Sequence, residues 1–188
     1  SIPKQISNES KKFQFSKIEK NAKTRDYELP LDWLDASNLI LTSYRVSMPD
    51  KPLKAFRIDD FFKLFINDVG LLNHMLKIRY ADILNDDLSL FKGAFVENYV
   101  ASQFVSNGID LYYWVSDGIA EIDFLIYNED GIIPVEVKAA NNTQSKSLKT
   151  YMDKFNPRYA IRISSKNFGY NEEKRIKSSA FRFLVYII

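Results

Sequence analysis

The residues best suited to chemistry in this sequence are charged side chains in the middle of two apolar, β-rich runs. The first run contains Asp123, and the second contains Glu136 and, two residues later, Lys138. A charge buried in a strand is costly unless it is paired or binds a metal. Two carboxylates on paired strands could jointly hold one Mg²⁺, which takes oxygen ligands and keeps several waters. Lys138 would share a face with Glu136, where it could orient or activate a metal-bound water.

The two runs predict a β-hairpin, because residues 128–131 between them read Asn-Glu-Asp-Gly, which is typical of a turn. Side chains alternate along a strand, so Asp123 would share a face with Glu121. The apolar neighbours that would point the other way, into the core, are Ile122, Phe124, Val135 and Val137. A buried ion pair on a sheet would give the same pattern, so this motif alone leaves metal binding and ion pairing both open.

Composition excludes several classes of site. The chain has 188 residues, enough for one good core or two small ones, and its 46% hydrophobic and 27% charged residues are typical of a globular protein. It has no cysteine and a single histidine, too few parts for a zinc site or a Cys–His or Ser–His nucleophile system. No Gly-x4-Gly-Lys-Ser/Thr loop is present, so the chain does not itself bind ATP through a P-loop.

Charge and hydropathy give weaker indications of partners and location. The net charge of +2 is too small to imply a nucleic-acid partner, so a DNA-binding surface would depend on local patterning. No run approaches the ~20 apolar residues of a membrane span. No signal-peptide pattern opens the chain, and we expect a cytoplasmic protein without a membrane partner. Ser1-Ile2-Pro3 looks like the cut end of something longer. The oligomeric state is left open.

The first 58 residues predict a small winged-helix-like segment. Residues 16–22 form a short capped helix, a second helix begins at Thr24, and strands over 40–46 and 53–58 form the wing. In a winged helix the second helix would be the recognition helix, and cations at its start and on the wing would contact phosphates. The cations placed there are Lys23, Arg25, Arg45, Lys51 and Lys54. The alternative is a packing or protein-contact module, because the second helix is acidic overall.

A helical pattern over residues 88–105 adds a third carboxylate, Glu97, to the candidate site residues. Gly93, Glu97 and Ala101 recur every four residues and form a narrow stripe of small residues with one carboxylate among them. Small residues let a helix approach a sheet closely, so Glu97 could reach the site of Asp123 and Glu136. The alternative is that Glu97 pairs with a cation, Lys138 or Arg162.

The remaining segments complete an order of helix, three strands, helix and strand. Residues 109–115 form an aromatic strand that belongs to the core, and residues 159–163 and 181–188 form further strands. A basic amphipathic helix follows Lys138. The residues there that could meet a phosphate backbone, or else face solvent, are Gln144, Lys146 and Lys149. The expected fold class is therefore α/β (α+β), a mixed sheet with helices on both faces.

Several motifs occur together in an order that resembles one family. They are Phe62–Leu72 (Phe-Lys-Leu-Phe-Ile-Asn-Asp-Val-Gly-Leu-Leu), Gly93–Asn98 (Gly-Ala-Phe-Val-Glu-Asn), Tyr113-Trp114, Glu121–Phe124 (Glu-Ile-Asp-Phe) and Val135–Lys138 (Val-Glu-Val-Lys). The chain resembles the C-terminal half of prokaryotic AAA-type ATPases that carry the DUF4143 domain. Those proteins begin with a P-loop ATPase domain of the AAA_14 type, which is absent here. This chain would then be a fragment, its partner would be that ATPase domain, and ATP would bind only there.

The resemblance implies a restriction-endonuclease-like domain of the PD-(D/E)xK superfamily over residues 59–188, after the winged-helix-like residues 1–58. Ile122 stands where the superfamily name has proline. Carried over by position, the active-site set would be Glu97, Asp123, Glu136 and Lys138.

Three functions follow from these expectations. In the first, a Mg²⁺-dependent DNA phosphodiesterase, Asp123 and Glu136 with the Val137 carbonyl would hold the metal. Lys138 would position the water, and Glu97 would assist or hold a second ion. The second is a non-catalytic DNA-binding module, whose binding would weaken steeply with salt and persist without metal. The third is a protein-interaction or regulatory module for the missing ATPase half.

Overall fold

The structure, a computed structural model, describes residues 2–7, 13–18, 24–79, 81–82, 91–117, 120–139, 145–165 and 168–180. The helices in these ranges are α1 (Ile2–Ser7), α2 (Thr24–Ala36), α3 (Val69–Met75), α4 (Lys92–Ser106) and α5 (Lys146–Phe155). Short 3-10 helices cover Phe15–Lys17 and Leu53–Phe56. The strands are β1 (Ile40–Val46), β2 (Arg57–Ile66), β3 (Tyr112–Val115), β4 (Glu121–Asn128), β5 (Gly131–Val137), β6 (Ala160–Ser164), β7 (Gly169–Asn171) and β8 (Ile176–Ala180).

The eight strands form one mixed sheet in the order β2-β1-β3-β4-β5-β6-β8-β7. The pairs β1/β3, β5/β6 and β6/β8 are parallel, and the other neighbours are antiparallel. The predicted hairpin is confirmed as β4 and β5, joined by a two-residue turn at Glu129 and Asp130. The chain order from α4 to β6 is also the predicted order of helix, three strands, helix and strand.

Two helices cover opposite faces of the sheet, because apolar side chains alternate along its strands. On one face, α4 packs through Val100 and Phe104 against strand residues that include Phe124 and Val135. On the other face, α5 packs its apolar stripe against β3 and β4; that stripe is Leu148, Tyr151 and Met152. The aromatic strand lies in the core as predicted, with Tyr112, Tyr113 and Trp114 buried. The expected α+β fold with a mixed sheet and helices on both faces is confirmed.

The strands of the N-terminal segment are part of this sheet and do not form a separate one. The helix predicted to begin at Thr24 is confirmed as α2, but residues 53–56 are a 3-10 helix and the returning strand runs from Arg57 to Ile66. Strand β1 pairs with both β2 and β3, so the predicted wing is continuous with the main sheet. The helix predicted over 16–22 falls partly on residues outside the described ranges, as does the strand predicted over 181–188. The winged helix and the division at residue 58 stay predictions.

A bulge in β4 turns Ile122 to the face opposite the one predicted, whereas Phe124 lies with Val135 and Val137 as predicted. Tyr112 pairs with Leu125 and Trp114 pairs with Ile122, so β4 contains one residue more than β3 over this stretch. An extra residue turns the side chains that follow it to the other face. Ile122 therefore packs with Trp114 in the cluster under α5, whereas Phe124 packs in the cluster under α4. The prediction that Ile122 and Phe124 share a face is wrong for this reason.

Asn98 fixes α4 to the edge strand β2. Its amide group donates to the Ile66 carbonyl at 2.7 Å and its carbonyl accepts from the Ile66 amide at 2.8 Å, and the side chain is fully buried. A side chain that satisfies both backbone groups of one strand residue sets the height of the helix on the sheet. Glu97, the next residue along the helix, is held at that height.

We predict that Asn98→Ala lowers the free energy of unfolding by about 2–4 kcal/mol, because it leaves a buried amide and a buried carbonyl of Ile66 without partners. Urea unfolding monitored by circular dichroism measures the change. Ser106→Ala, at an exposed position on the same helix, is the control and should change stability by less than about 0.5 kcal/mol. Equal effects of the two substitutions would contradict the role given to Asn98.

Candidate active site

Asp123 lies where the regular pairing of β4 and β5 stops. The paired residues run from Asn128 and Gly131 to Phe124 and Val135. At the next residue of β4, the Asp123 Oδ2 atom accepts a hydrogen bond from the Val137 amide of β5 at 2.8 Å. The carboxylate therefore reaches across to the neighbouring strand, at the stretch of β4 that contains the bulge.

Glu136 is the most deeply buried carboxylate of the predicted set, with 3% of its surface exposed. Its Oε1 atom accepts a hydrogen bond from the Ser145 hydroxyl and lies 3.1 Å from the Lys138 ammonium. Its Oε2 atom lies 3.9 Å from the Nε atom of Arg162, its partner on β6. Within the described ranges, that Oε2 and that Nε are both buried without a hydrogen-bond partner. Glu136 and Lys138 share one face of the strand, as predicted.

Lys63 is the residue that the sequence analysis missed. It lies in β2, almost completely buried, and its ammonium is 2.7 Å from Glu97 Oε1 and 2.8 Å from Glu121 Oε1. The same ammonium lies 5.2 Å from the centre of the Tyr113 ring. Glu97 therefore does pair with a cation, but the cation is Lys63, and the predicted partners Lys138 and Arg162 lie beside Glu136 instead. The missed signal was a charge in the apolar run 61–66, the same kind of signal that singled out Asp123.

The electrostatics of this group depend on burial and on charge crowding. Burial, the largest cause, and the nearby Glu97 carboxylate together raise the pKa of Asp123 from its ordinary value of 3.8 to about 7. Lys63 and the Val137 amide act in the opposite direction, and Glu136 adds a smaller increase. Burial alone would lower the pKa of Lys63, but Glu97, Glu121 and Asp123 together raise it, so the ammonium stays protonated.

The oxygen atoms of this site meet only part of what a metal ion needs. The described residues contain no group of three or more histidine, cysteine or acidic side chains able to hold a metal. The Glu136 carboxylate raises the pKa of Asp123, and the Oε2 atom of Glu136 has no hydrogen-bond partner in the described ranges. Mg²⁺ commonly uses one or two carboxylates and keeps several waters. Asp123 and Glu136 thus offer oxygen atoms of the type that Mg²⁺ uses, whereas Glu97 is already bound to Lys63.

The residues predicted to bind nucleic acid are only partly described. Lys146 and Lys149 are exposed in the first turns of α5, which begins at the N-cap residue Ser145. The Ser145 hydroxyl donates to Glu136, so the beginning of α5, which carries these two lysines, lies next to the candidate site. Arg25 lies in α2, but its side chain is outside what the structure describes, as are Lys23 and Gln144 altogether. No helix in the described ranges has both the length and the apolarity to cross a membrane.

The raised pKa of Asp123 predicts a specific dependence of stability on pH. Between about pH 4 and pH 7 the folded chain keeps a proton on Asp123 that the unfolded chain has released. The stability contributed by this group is full below pH 4 and is lost as the pH rises through 7, by at most ~1.4 kcal/mol per pH unit. Asp123→Asn keeps an acceptor for the Val137 amide but cannot ionise, so its unfolding free energy should exceed that of the wild type increasingly from pH 5 to pH 8.

Urea unfolding at several pH values measures this difference. Asp153→Asn removes an exposed aspartate of α5 and is the matched control, which should follow the wild type at every pH. A constant difference between Asp123→Asn and the wild type from pH 5 to pH 8 would show that Asp123 does not hold its proton in this range.

Two family models match the sequence. Residues 92–185, half of the chain's 188 residues, match the model described as Domain of unknown function (DUF4143). Residues 1–82 match the model described as Domain of unknown function (DUF8612). No curated protein and no solved structure matches the chain significantly. The first match contains Glu97, Asp123, Glu136 and Lys138, and because it spans half of the chain, this protein belongs to the DUF4143 family.

Proposed function

We propose that this DUF4143 chain is a Mg²⁺-dependent phosphodiesterase module that acts on DNA, with a restriction-endonuclease-like domain around the β4–β5 hairpin. One observation carries the proposal. Glu136 is held by Ser145 and Lys138 through one oxygen, while its other oxygen is buried without a hydrogen-bond partner in the described ranges. A carboxylate fixed in this way, with Asp123 close by, suits a hard cation.

The chain's own residues would divide the work as follows. Asp123 and Glu136 would hold the ion, which when bound lowers the pKa of a water and offsets phosphate charge. The Val137 amide orients the Asp123 carboxylate through a 2.8 Å hydrogen bond. Lys138, more exposed than the carboxylate it contacts, would position the attacking water or hold a phosphate oxygen. Glu97 is not proposed as a ligand, because its Oε1 atom already accepts from Lys63.

DNA would approach along the start of α5. The N-terminus of a helix attracts phosphate through its free amides and its dipole, and Lys146 and Lys149 add two exposed ammonium groups there. Ser145 caps this helix and also contacts Glu136, so a phosphate bound at the first turn would lie near the carboxylates. Contacts of this kind carry no sequence information, and we therefore expect cleavage with little sequence preference.

We also propose that the module works within a longer protein, beside an ATPase domain that would bind ATP. The support is the motif order shared with AAA-type ATPases that carry DUF4143. In that arrangement ATP would bind to the ATPase domain, and Mg²⁺ would bind both to the ATPase domain and at Asp123 and Glu136.

The test separates metal binding from cleavage. Calorimetric titration of Mg²⁺ and Mn²⁺ should show binding to the wild type that is lost in Asp123→Asn. Lys138→Met should still bind metal but should cleave plasmid and oligonucleotide DNA at least about 100-fold more slowly, the range expected when a group that handles the water is removed. Asp153→Asn, which removes the same charge from an exposed position on α5, should preserve both properties. No metal binding at millimolar concentration, alone or with DNA added, would overturn the proposal.

A second candidate function, a protein-interaction module for the ATPase half, is favoured by a different observation. Leu29 and Trp33 lie one turn apart on α2 and are 63% and 72% exposed. A large aromatic side chain beside an exposed leucine is typical of an interface anchor. The acidic residues of the same helix, which would favour a basic partner surface, are Asp26, Glu28, Asp32 and Asp35.

We predict that Leu29→Ser combined with Trp33→Ser abolishes association with a separately produced ATPase half, while unfolding free energy changes by less than about 1 kcal/mol. Both side chains are exposed, so their loss removes little packing. Tyr170→Ser, at an exposed position in β7, is the control. Association that survives the double substitution would show that this surface of α2 is not the contact.

A further inference from the structure

We infer that Lys63 is an internal cation that fills the carboxylate pocket formed by Glu97 and Glu121, and that it limits the site to one divalent ion. The inference rests on the proposed function only for the ion at Asp123 and Glu136. The pocket around Lys63 is a separate feature, since its three charged groups do not include Glu136.

The Lys63 ammonium is surrounded by two carboxylates and an aromatic ring, as a small bound cation would be. One ammonium bridges two carboxylates, at 2.7 Å to Glu97 Oε1 and 2.8 Å to Glu121 Oε1, and the Tyr113 ring lies on a further side. The Lys63 side chain is 8% exposed and that of Glu121 is 9% exposed. Burying a lone ammonium is costly, and two direct carboxylate partners offset that cost. The ammonium therefore has a fixed position and serves as the positive centre of the pocket.

The Lys63 charge offsets the negative charges around it and so affects how many metal ions the site can hold. The carboxylates of Glu97, Glu121 and Asp123 raise the pKa of Lys63. Glu97 raises the pKa of Asp123, and Lys63 lowers it. Without the ammonium, the Glu97 and Glu121 carboxylates would face each other across its position with no cation between them. Crowded carboxylates of this kind are hard oxygen ligands, which divalent ions prefer. Lys63 prevents a divalent ion from binding to these carboxylates, because its ammonium already supplies the positive charge between them.

Ser43 supplies an independent sign that the pocket can accept another ligand. It pairs directly with Lys63 across β1 and β2, so the two side chains lie on the same face of the sheet. The Ser43 side chain is fully buried, and its hydroxyl has no hydrogen-bond partner in the described ranges. A buried hydroxyl without a partner is uncommon in proteins. Its oxygen would be an additional neutral donor to an ion that replaced the ammonium.

The two sides of the pocket come from different family matches. Lys63 and Ser43 lie in residues 1–82, whereas Glu97, Glu121 and Asp123 lie in residues 92–185. The edge strand β2 is thus not only a structural addition to the sheet. It provides the residue that fixes Glu97 and Glu121, and Lys63 is a positioning residue for the site.

The test counts bound ions. Mn²⁺ is titrated into the wild type, Lys63→Met and Lys63→Arg, with stoichiometry taken from calorimetry and from the electron paramagnetic resonance signal of free Mn²⁺. Methionine has nearly the length of lysine but no charge, and arginine keeps the charge. We expect Lys63→Met to bind one ion more per chain than the wild type, and Lys63→Arg to bind the same number. Lys63→Met, Glu97→Gln and Glu121→Gln combined should abolish the gain.

The outcomes distinguish this inference from the proposed function. One ion in the wild type and two in Lys63→Met supports both. No ion in the wild type and one in Lys63→Met overturns the proposed function and supports the role of Lys63. Equal stoichiometry in the wild type and Lys63→Met overturns the inference whatever the wild type binds, and so does a gain that survives in the triple variant.

A second variant covers the case in which Lys63→Met does not fold. Lys63→Met combined with Glu121→Gln removes one charge of each sign and leaves the Glu97 carboxylate, the amide oxygen introduced at position 121 and the Ser43 hydroxyl around the position of the ammonium. We expect this double variant to fold and to bind one Mn²⁺ more than the wild type. Thermal unfolding with and without Mn²⁺ gives a second readout, since the extra ion should raise the melting temperature of the double variant more than that of the wild type. Equal shifts would overturn the inference.

Discussion

The bridge from Lys63 to Glu97 and Glu121 is the interaction on which the arrangement of the site depends. It joins the edge strand β2, the helix α4 and the central strand β4 through one ammonium. Asn98 strengthens the same junction by bonding both backbone groups of Ile66. The helix is thereby fixed on the sheet at two consecutive residues, one by charge and one by amide hydrogen bonds. The position of Asp123 relative to the other carboxylates follows from this junction, because β4 carries both Glu121 and Asp123.

Much of the fold follows from local sequence patterns. Alternating apolar residues on both sides of an Asn-Glu-Asp-Gly turn predicted the β4–β5 hairpin, and the spacing of Leu148, Tyr151 and Met152 predicted α5. The Glu-x-Lys spacing also predicted that Lys138 lies beside Glu136. These features depend on a strand period of two and a helix period of about 3.6, which are properties of neighbouring residues. They require no knowledge of how distant segments meet.

The features that could not be predicted depend on contacts between distant segments. The bulge in β4 appears only when β4 is aligned with β3, and nothing in the residues from Ile122 to Leu125 indicates an extra residue. Lys63 reaches Glu97 and Glu121 only because β2 and α4 meet in the folded chain. Strands β7 and β8 are short and partly polar, and they join the sheet through the pairing of β8 with the distant strand β6. The sequence identified the carboxylates of the candidate site but not the cation among them.

The hydroxyl of Ser145 has a consequence for how the two parts of the candidate site communicate. It has a single proton, which it gives to Glu136, and it accepts the Leu148 amide at 3.0 Å as the cap of α5. A ligand that competes with Ser145 for the Oε1 atom of Glu136 would turn this hydroxyl and so alter the cap of the helix that presents Lys146 and Lys149. Thermodynamic linkage makes such an effect reciprocal, so an anion bound at the helix start would change the affinity of Glu136 for a cation by the same factor. Through one hydroxyl group, the binding of a ligand to a buried carboxylate would be coupled to the order of an exposed helical turn.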